Sequence, residues 1–157
     1  PPLARHALGC VALDNKIYAI GGQDFNENDL DSVECYDLET KTWTMLAPLQ
    51  QRRSGAACAV IDGKIYAVGG LADTYLNSVE VYDPAANTWT FVSPMTAERN
   101  WAAVAVHDGR LIVAGGDCNT SAHQTVEAYD PQSDSWSSLP PMRGPRCFAR
   151  AIVCDLT

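Results

Sequence analysis

Cysteine, histidine and carboxylate side chains are the groups through which this chain could bind a metal or run a reaction. Its six cysteines, at 10, 35, 58, 118, 147 and 154, form no C-x-x-C pair. The three histidines, His6, His107 and His123, stand in no metal-ligand spacing with them, so no zinc or other metal site is predicted. There is no G-x-S-x-G elbow and no Walker loop, so neither a nucleophile nor a nucleotide cofactor is placed by motif. Carboxylates outnumber Lys and Arg by 19 to 11, a formal net charge of −8. That balance repels phosphate backbones and anionic lipid and argues against nucleic acid or membrane surface as partners. No catalytic, cofactor or metal residue is assigned.

The residues that do recur are structural in type. Gly21-Gly22, Gly69-Gly70 and Gly115-Gly116 each end an apolar run, IYAI, IYAV and LIVA. Tyr36, Tyr82 and Tyr129 follow, each beside an aspartate, and Trp43, Trp89 and Trp136 stand seven residues after them. Arg53, Arg99 and Arg146 come ten residues after the tryptophans, and Arg5 opens the series. The repeat lengths are 48, 46 and 47, giving complete units at 5–52, 53–98 and 99–145 and a partial one at 146–157. Only the interval from glycine pair to tyrosine varies, as 14, 12 and 13. Constant spacing is what strand register demands, and the one elastic interval is predicted to be a surface loop.

Each unit reads as four strands. ALGCVAL, GAACAVI and WAAVAVH have the small and β-branched residues of an inner strand. Asp14-Asn15, Asp62-Gly63 and Asp108-Gly109 are hairpin dipeptides leading into the glycine-ended strand. A third, alternating strand (SVECYD, SVEVYD, TVEAYD) and a fourth carrying the tryptophan complete the unit. No helical period is sustained. The predicted class is all-β: three four-stranded antiparallel propeller blades and the first strand of a fourth.

The constellation of arginine, glycine doublet, E-x-Y-D, tryptophan and P-(L/M)…R resembles the Kelch repeat over nearly the whole chain. The phrasing around Pro94-Met95 and Arg99 is most similar to the Kelch domains of BTB–Kelch proteins; Ile112, where Tyr18 and Tyr66 stand, is a departure. The resemblance implies a ring of about six blades. The chain is therefore either part of a longer domain or half of a propeller completed by a second copy; both readings stay open. Glycine pairs, tyrosines and tryptophans are expected at blade contacts, with each arginine tied to backbone carbonyls or to Glu34, Glu80 or Glu127.

Slot comparison within the repeat classes Cys10, Cys35, Cys58 and Cys154 as buried thiols, and Cys118 and Cys147 as loop thiols. His107 shares a slot with Leu13 and Ile61 and is expected in a core or between blades. Free thiols favour a reducing, cytoplasmic location. The functional expectation is protein recognition on the loop face. The loops after the glycine pairs offer Phe25, Asp29, Tyr75, Asn119 and His123; those before the inner strands offer Arg52, Ser54, Asn100, Trp101 and Phe148. Trp101 is read either as an inter-blade residue or as a contact for a partner. The acidic first loop (Asp24, Glu27, Asp29, Asp31) suits a basic or mixed-charge peptide. By resemblance, the bound protein would be a substrate for a cullin-RING ubiquitin ligase. The alternatives are an actin-binding scaffold or, as an enzyme, a Kelch-fold sugar-acid epimerase.

Overall fold

A computed structural model describes residues 2–118 and 121–151. The first sheet has β1 (Gly9–Leu13), β2 (Lys16–Ile20), β3 (Val33–Asp37) and β4 (Thr42–Met45), hydrogen-bonded in that order. The second has β5 (Ala57–Ile61), β6 (Lys64–Val68), β7 (Val79–Asp83) and β8 (Thr88–Val92). The third joins β9 (Ala103–His107), β10 (Arg110–Ala114), β13 (Val126–Asp130) and β14 (Ser135–Leu139). All pairs are antiparallel. Among the described residues there is no helix.

Local chemistry accounts for each turn. Asp14-Asn15, Asp62-Gly63 and Asp108-Gly109 all take positive φ, from 48° to 72°, the conformation a type I′ hairpin needs. At the next hairpin, the aspartate after each repeat tyrosine holds the turn. Asp37 Oδ1 accepts from the amides of Glu39 and Thr40, and Asp83 Oδ1 from those of Ala85 and Ala86. With that turn length set, a seven-residue spacing puts each tyrosine directly opposite its tryptophan: Tyr36 on Trp43, Tyr82 on Trp89, Tyr129 on Trp136. Their ring centroids lie 5.0–5.1 Å apart.

The core is the contact between consecutive blades. One cluster joins Tyr18, Ile20, Val33 and Leu49 of blade 1 to Ile65, Ala67, Tyr82 and Trp89 of blade 2. The other joins Ile61, Tyr66, Val68 and Met95 of blade 2 to Leu111, Val113 and Tyr129 of blade 3. Each sheet thus has an entry face, toward the preceding blade, and an exit face, toward the next.

One element goes beyond expectation, and one expected element lies largely outside the described residues. The third glycine-to-tyrosine loop carries a small extra sheet, β11 (Asp117–Cys118) with β12 (Ser121–Ala122). The expected first strand of a fourth blade falls largely on 152–154, outside the described residues, and 146–151 form no strand.

Candidate protein-recognition face

The repeat arginine is the tie between blades. Arg53 Nη1 donates to the carbonyls of Gly69 (2.7 Å) and Ser78 (3.1 Å), and Nη2 to Glu80 Oε1 (2.8 Å), all in its own blade. Arg99 repeats this with Gly115, Thr125 and Glu127, and Arg5 with Gly21, Ser32 and Glu34. The arginine backbone, by contrast, is stitched to the preceding blade. Gly22 N–H donates to Arg53 O and Gly70 N–H to Arg99 O, while Arg53 N–H and Arg99 N–H donate to Leu30 O and Leu76 O. This is why the doublet is glycine: at Gly69 (φ +61°) a Cβ would lie 2.2 Å from Arg99 O, and at Gly70 (φ +105°) 2.6 Å from Ser54 O.

The glutamates complete the tie. Glu80 also accepts from the amides of Gln50 (2.7 Å) and Gln51 (3.2 Å), at the end of blade 1. Glu127 accepts from Thr96 N–H and Oγ1 at the end of blade 2. Burial raises the carboxyl of Glu127, but the bonds from Thr96 and Arg99 outweigh it and hold it below the usual range. Arg53 and Glu80 are both fully buried. Arg146 keeps the backbone half of the pattern, with Gly116 N–H on its carbonyl at 2.8 Å, while its residue is exposed.

Tyrosine and tryptophan supply the rest of each junction. Trp89 Nε1 donates to Ala47 O and Trp136 Nε1 to Ser93 O in the preceding blade. Tyr82 donates to Asn87 Oδ1, which also accepts from Ala47 N–H; Tyr129 and Ser93 N–H share Asp134 Oδ1 in the same way.

The lead-in loops are themselves linked around the propeller axis. Ala7, Gly55, Trp101 and Phe148 occupy one repeat position, all at φ between 52° and 61°. Gly55 N–H donates to Ala7 O, Trp101 N–H to Gly55 O and Phe148 N–H to Trp101 O. Trp101 packs over Gly55, where a Cβ would meet its Cε2 at 3.1 Å, and its ring lies 5.1 Å from that of Phe148. Trp101 is half-buried and Phe148 is 68% exposed. Beside them runs an open groove of about 420 Å³, lined by Cys10, Cys58, Val104, Trp101, Phe148 and Arg150 among others.

The other expected contact residues divide. Phe25 is 95% exposed, at the tip of a turn that Asp24 holds by accepting from the amides of Asn26 and Asn28. Arg52 is exposed, and Tyr75 and Asp29 are half-buried. Ser54 and Asn100 are buried. Ser54 Oγ donates to Leu71 O, whereas Asn100 Oδ1 has no hydrogen-bond partner among the described residues. Asp29 Oδ1 and Asp117 Oδ1 are likewise buried acceptors without donors, and burial raises the Asp117 carboxyl. Asn119 lies outside the described residues.

His123 has a scaffold role that was not expected. Its N–H donates to Gly116 O and its carbonyl accepts from Arg146 N–H, as Leu30 and Leu76 do in their blades. Counted back from the tyrosine, all three stand six residues before it, so the elastic interval ends there.

Two slot assignments need correction. Cys10 is exposed, because its slot faces the preceding blade and no described residue covers it there, whereas Cys58 in the same slot is half-buried and packs against the cluster between blades 1 and 2. The Cys58 sulfur still sits tightly against Gly9, and burial pushes its thiol up to about 12. Cys35 is buried as expected, Cys147 and Cys118 are half-buried, and Cys154 lies outside the described residues. His107 is exposed, its Nε2 3.3 Å from Asp108 Oδ2. Its slot is sealed only where a further blade covers it, as at Ile61.

Four-stranded antiparallel sheets packed face to face, with inner strands around a common groove, are the blades of a β-propeller. The chain belongs to the Kelch-repeat family: the KLHDC2/KLHL20/DRC7 Kelch-repeats domain matches residues 1–154. An influenza virus NS1A-binding protein homolog from Xenopus laevis is 47% identical over 51 residues, 32% of this chain and 8% of that protein. Beta-scruin from Limulus polyphemus is 39% identical over 56 residues, 36% of this chain and 6% of its own length. Kelch repeat and BTB domain-containing protein 8 from Danio rerio is 40% identical over 53 residues, 31% of this chain and 9% of its own length. Each match therefore spans about one repeat and less than a tenth of the relative.

Proposed function

We propose that the chain is a protein-interaction module that holds a peptide segment on the loop face, against Trp101 and Phe148. The observation that carries this is the pair itself. Two aromatic residues occupy left-handed backbone, which costs about 1 kcal/mol or more for a residue with a Cβ, yet their rings form a partly exposed platform at the groove mouth. Stacked aromatics at the centre of a loop surface are typical anchors for a partner.

The polar surroundings favour a donor-rich, basic or mixed-charge ligand. The first loop carries Asp24, Glu27, Asp29 and Asp31. A lysine or an arginine would pair with carboxylates of that loop. The likeness to a BTB-containing relative supports a finer reading, in which the bound segment belongs to a ubiquitin-ligase substrate. Thiols at Cys10, Cys35, Cys58 and Cys147 suit a reducing, cytoplasmic setting.

The test is fluorescence anisotropy with a labelled peptide library graded in net charge. Basic peptides should bind best, and Trp101→Ala should weaken the best of them about tenfold or more. Equal binding of acidic and basic peptides, or capture unaffected by Trp101→Ala, would refute the proposal.

A further inference from the structure

The internal junction between blades 1 and 2 is tied by Arg53 and Glu80 at its glycine-doublet end. At the opposite end, beside the β1–β2 and β3–β4 hairpins of blade 1, the blades part around a cleft of about 340 Å³. Its floor is apolar. Tyr18 of blade 1 and Tyr82 of blade 2 are 5% and 2% exposed. They meet edge to face with ring centroids 6.2 Å apart, and Leu46 and Pro84 flank them. Burial, then the neighbouring Cys35, Tyr82 and Asp14, push the Tyr18 hydroxyl up to about 12, so it stays a neutral part of that floor.

The mouth is anionic. Lys16 is held in an ion pair by Asp37, so its charge is already met. Asp14, exposed on the first hairpin at φ 48°, has no ion-pair partner among the described residues. Asp14 and Asp37 set against Lys16 leave one negative charge in excess at the rim. Thr40 and Thr42 add hydroxyl acceptors beside it. Part of this lining is not needed to build a blade. At the matching positions of blade 2, Val81 stands for Cys35 and Ala86 for Thr40, and Val81 packs against the cluster at the next junction.

We infer that this cleft is a second binding site, for a small organic cation: an ammonium group held at Asp14 and Asp37, with an apolar body seated on Tyr82, Leu46 and Pro84. An apolar floor with a few charged groups at the rim is the usual build of a small-molecule site.

Size and charge restrict the ligand further. At the roughly 30 Å³ that a water molecule occupies, the cleft has room for about ten non-hydrogen atoms, which excludes a folded partner. A carboxylate or phosphate at the rim would face the unpaired charge of Asp14, whereas an ammonium would neutralise it. The cleft lies at the end of the blades opposite the glycine-doublet loops, since Lys16 begins the strand that those glycines end and Asp37 closes β3. Occupancy of the cleft is therefore independent of peptide binding at Trp101 and Phe148.

Protein-observed NMR titration with benzylamine, benzyl alcohol and benzoate tests this, read on the backbone amides of Lys16, Cys35 and Thr44. Benzylamine should bind best, benzyl alcohol more weakly and benzoate not at all. Asp14→Asn keeps a residue suited to the hairpin's positive φ and should weaken benzylamine about threefold to fivefold. Asp62→Asn, the same change on the next blade, should leave those amides responding as before. Thr44→Trp fills the cleft from β4 and should abolish the response, whereas Thr90→Trp on β8 should preserve it. Benzoate binding as tightly as benzylamine, equal losses from Asp14→Asn and Asp62→Asn, a response that survives Thr44→Trp, or no response at about 10 mM benzylamine would overturn the inference.

Discussion

Removing the carboxylate of Glu80 tests whether the arginine tie holds neighbouring blades together. In Glu80→Ala the guanidinium of Arg53, fully buried, loses its only anionic partner among the described residues but keeps its bonds to Gly69 O and Ser78 O. The amides of Gln50 and Gln51 lose their acceptor at the same time. An uncompensated buried charge costs about 3–5 kcal/mol, and stranded amides about 1 kcal/mol each where water cannot reach them. Taking about 4 kcal/mol as the net cost, the thermal midpoint should fall by roughly 10 °C for a chain of this size. Thermal and urea unfolding followed by tryptophan fluorescence provides the readout, since Trp89 is buried at that junction. Combining it with Arg53→Met removes the charge along with its partner, so the double variant should lose less than the two single losses together. A loss below about 1 kcal/mol in Glu80→Ala, or strict additivity in the pair, would show that the buried ion pair does not bind the blades as argued.

Other expectations follow from the same contacts. Gly69→Ala combines a positive φ with a 2.2 Å approach to Arg99 O, so urea titration should show a loss of about 2 kcal/mol or more. Trp136→Phe removes the indole bond to Ser93 O and part of the packing on Tyr129, and the same titration should register about 2 kcal/mol. The folded-state pKa of Glu127 is depressed, so its stabilising contribution is complete above the unfolded value and disappears as pH falls through the folded one. Glu127→Gln should flatten the acid limb of stability against pH below about 4. In thiol titration of the native chain, exposed Cys10 should react first, while Cys58, pushed up by burial to about 12, and buried Cys35 should wait for unfolding.

The blade architecture was legible because it depends on spacing. The seven-residue interval from Tyr82 to Trp89 and the 17 residues from Arg53 to Gly70 are distances along paired strands, and sequence displays these directly. The partners of Arg53 were legible too, since a repeated cation and a repeated glutamate must meet if both are buried. What composition could not show was which slots a neighbouring blade seals. Cys10 shares its slot with Cys58 and Val104, which pack against the junction with the preceding blade, but no described residue covers that face at Cys10. His107 failed for a related reason: its slot is sealed by a following blade, not by anything in its own. The scaffold role of His123 was hidden by counting from the glycines, across the elastic loop, when the fixed distance runs back from Tyr129. Ser54 and Asn100 were placed on the correct loop, but their burial depends on packing with Leu71 and Gly55 that has no linear signature.

The left-handed position shared by Ala7, Gly55, Trp101 and Phe148 separates what is built from what is displayed. Because the main chain there is held by amide-to-carbonyl links from one blade to the next, the substituent can range from a hydrogen atom to an indole without altering the path of the chain. Each repeat therefore contributes one interchangeable character to the same column around the axis. Side chains can be exchanged there by single substitutions while the stack beneath stays as it is.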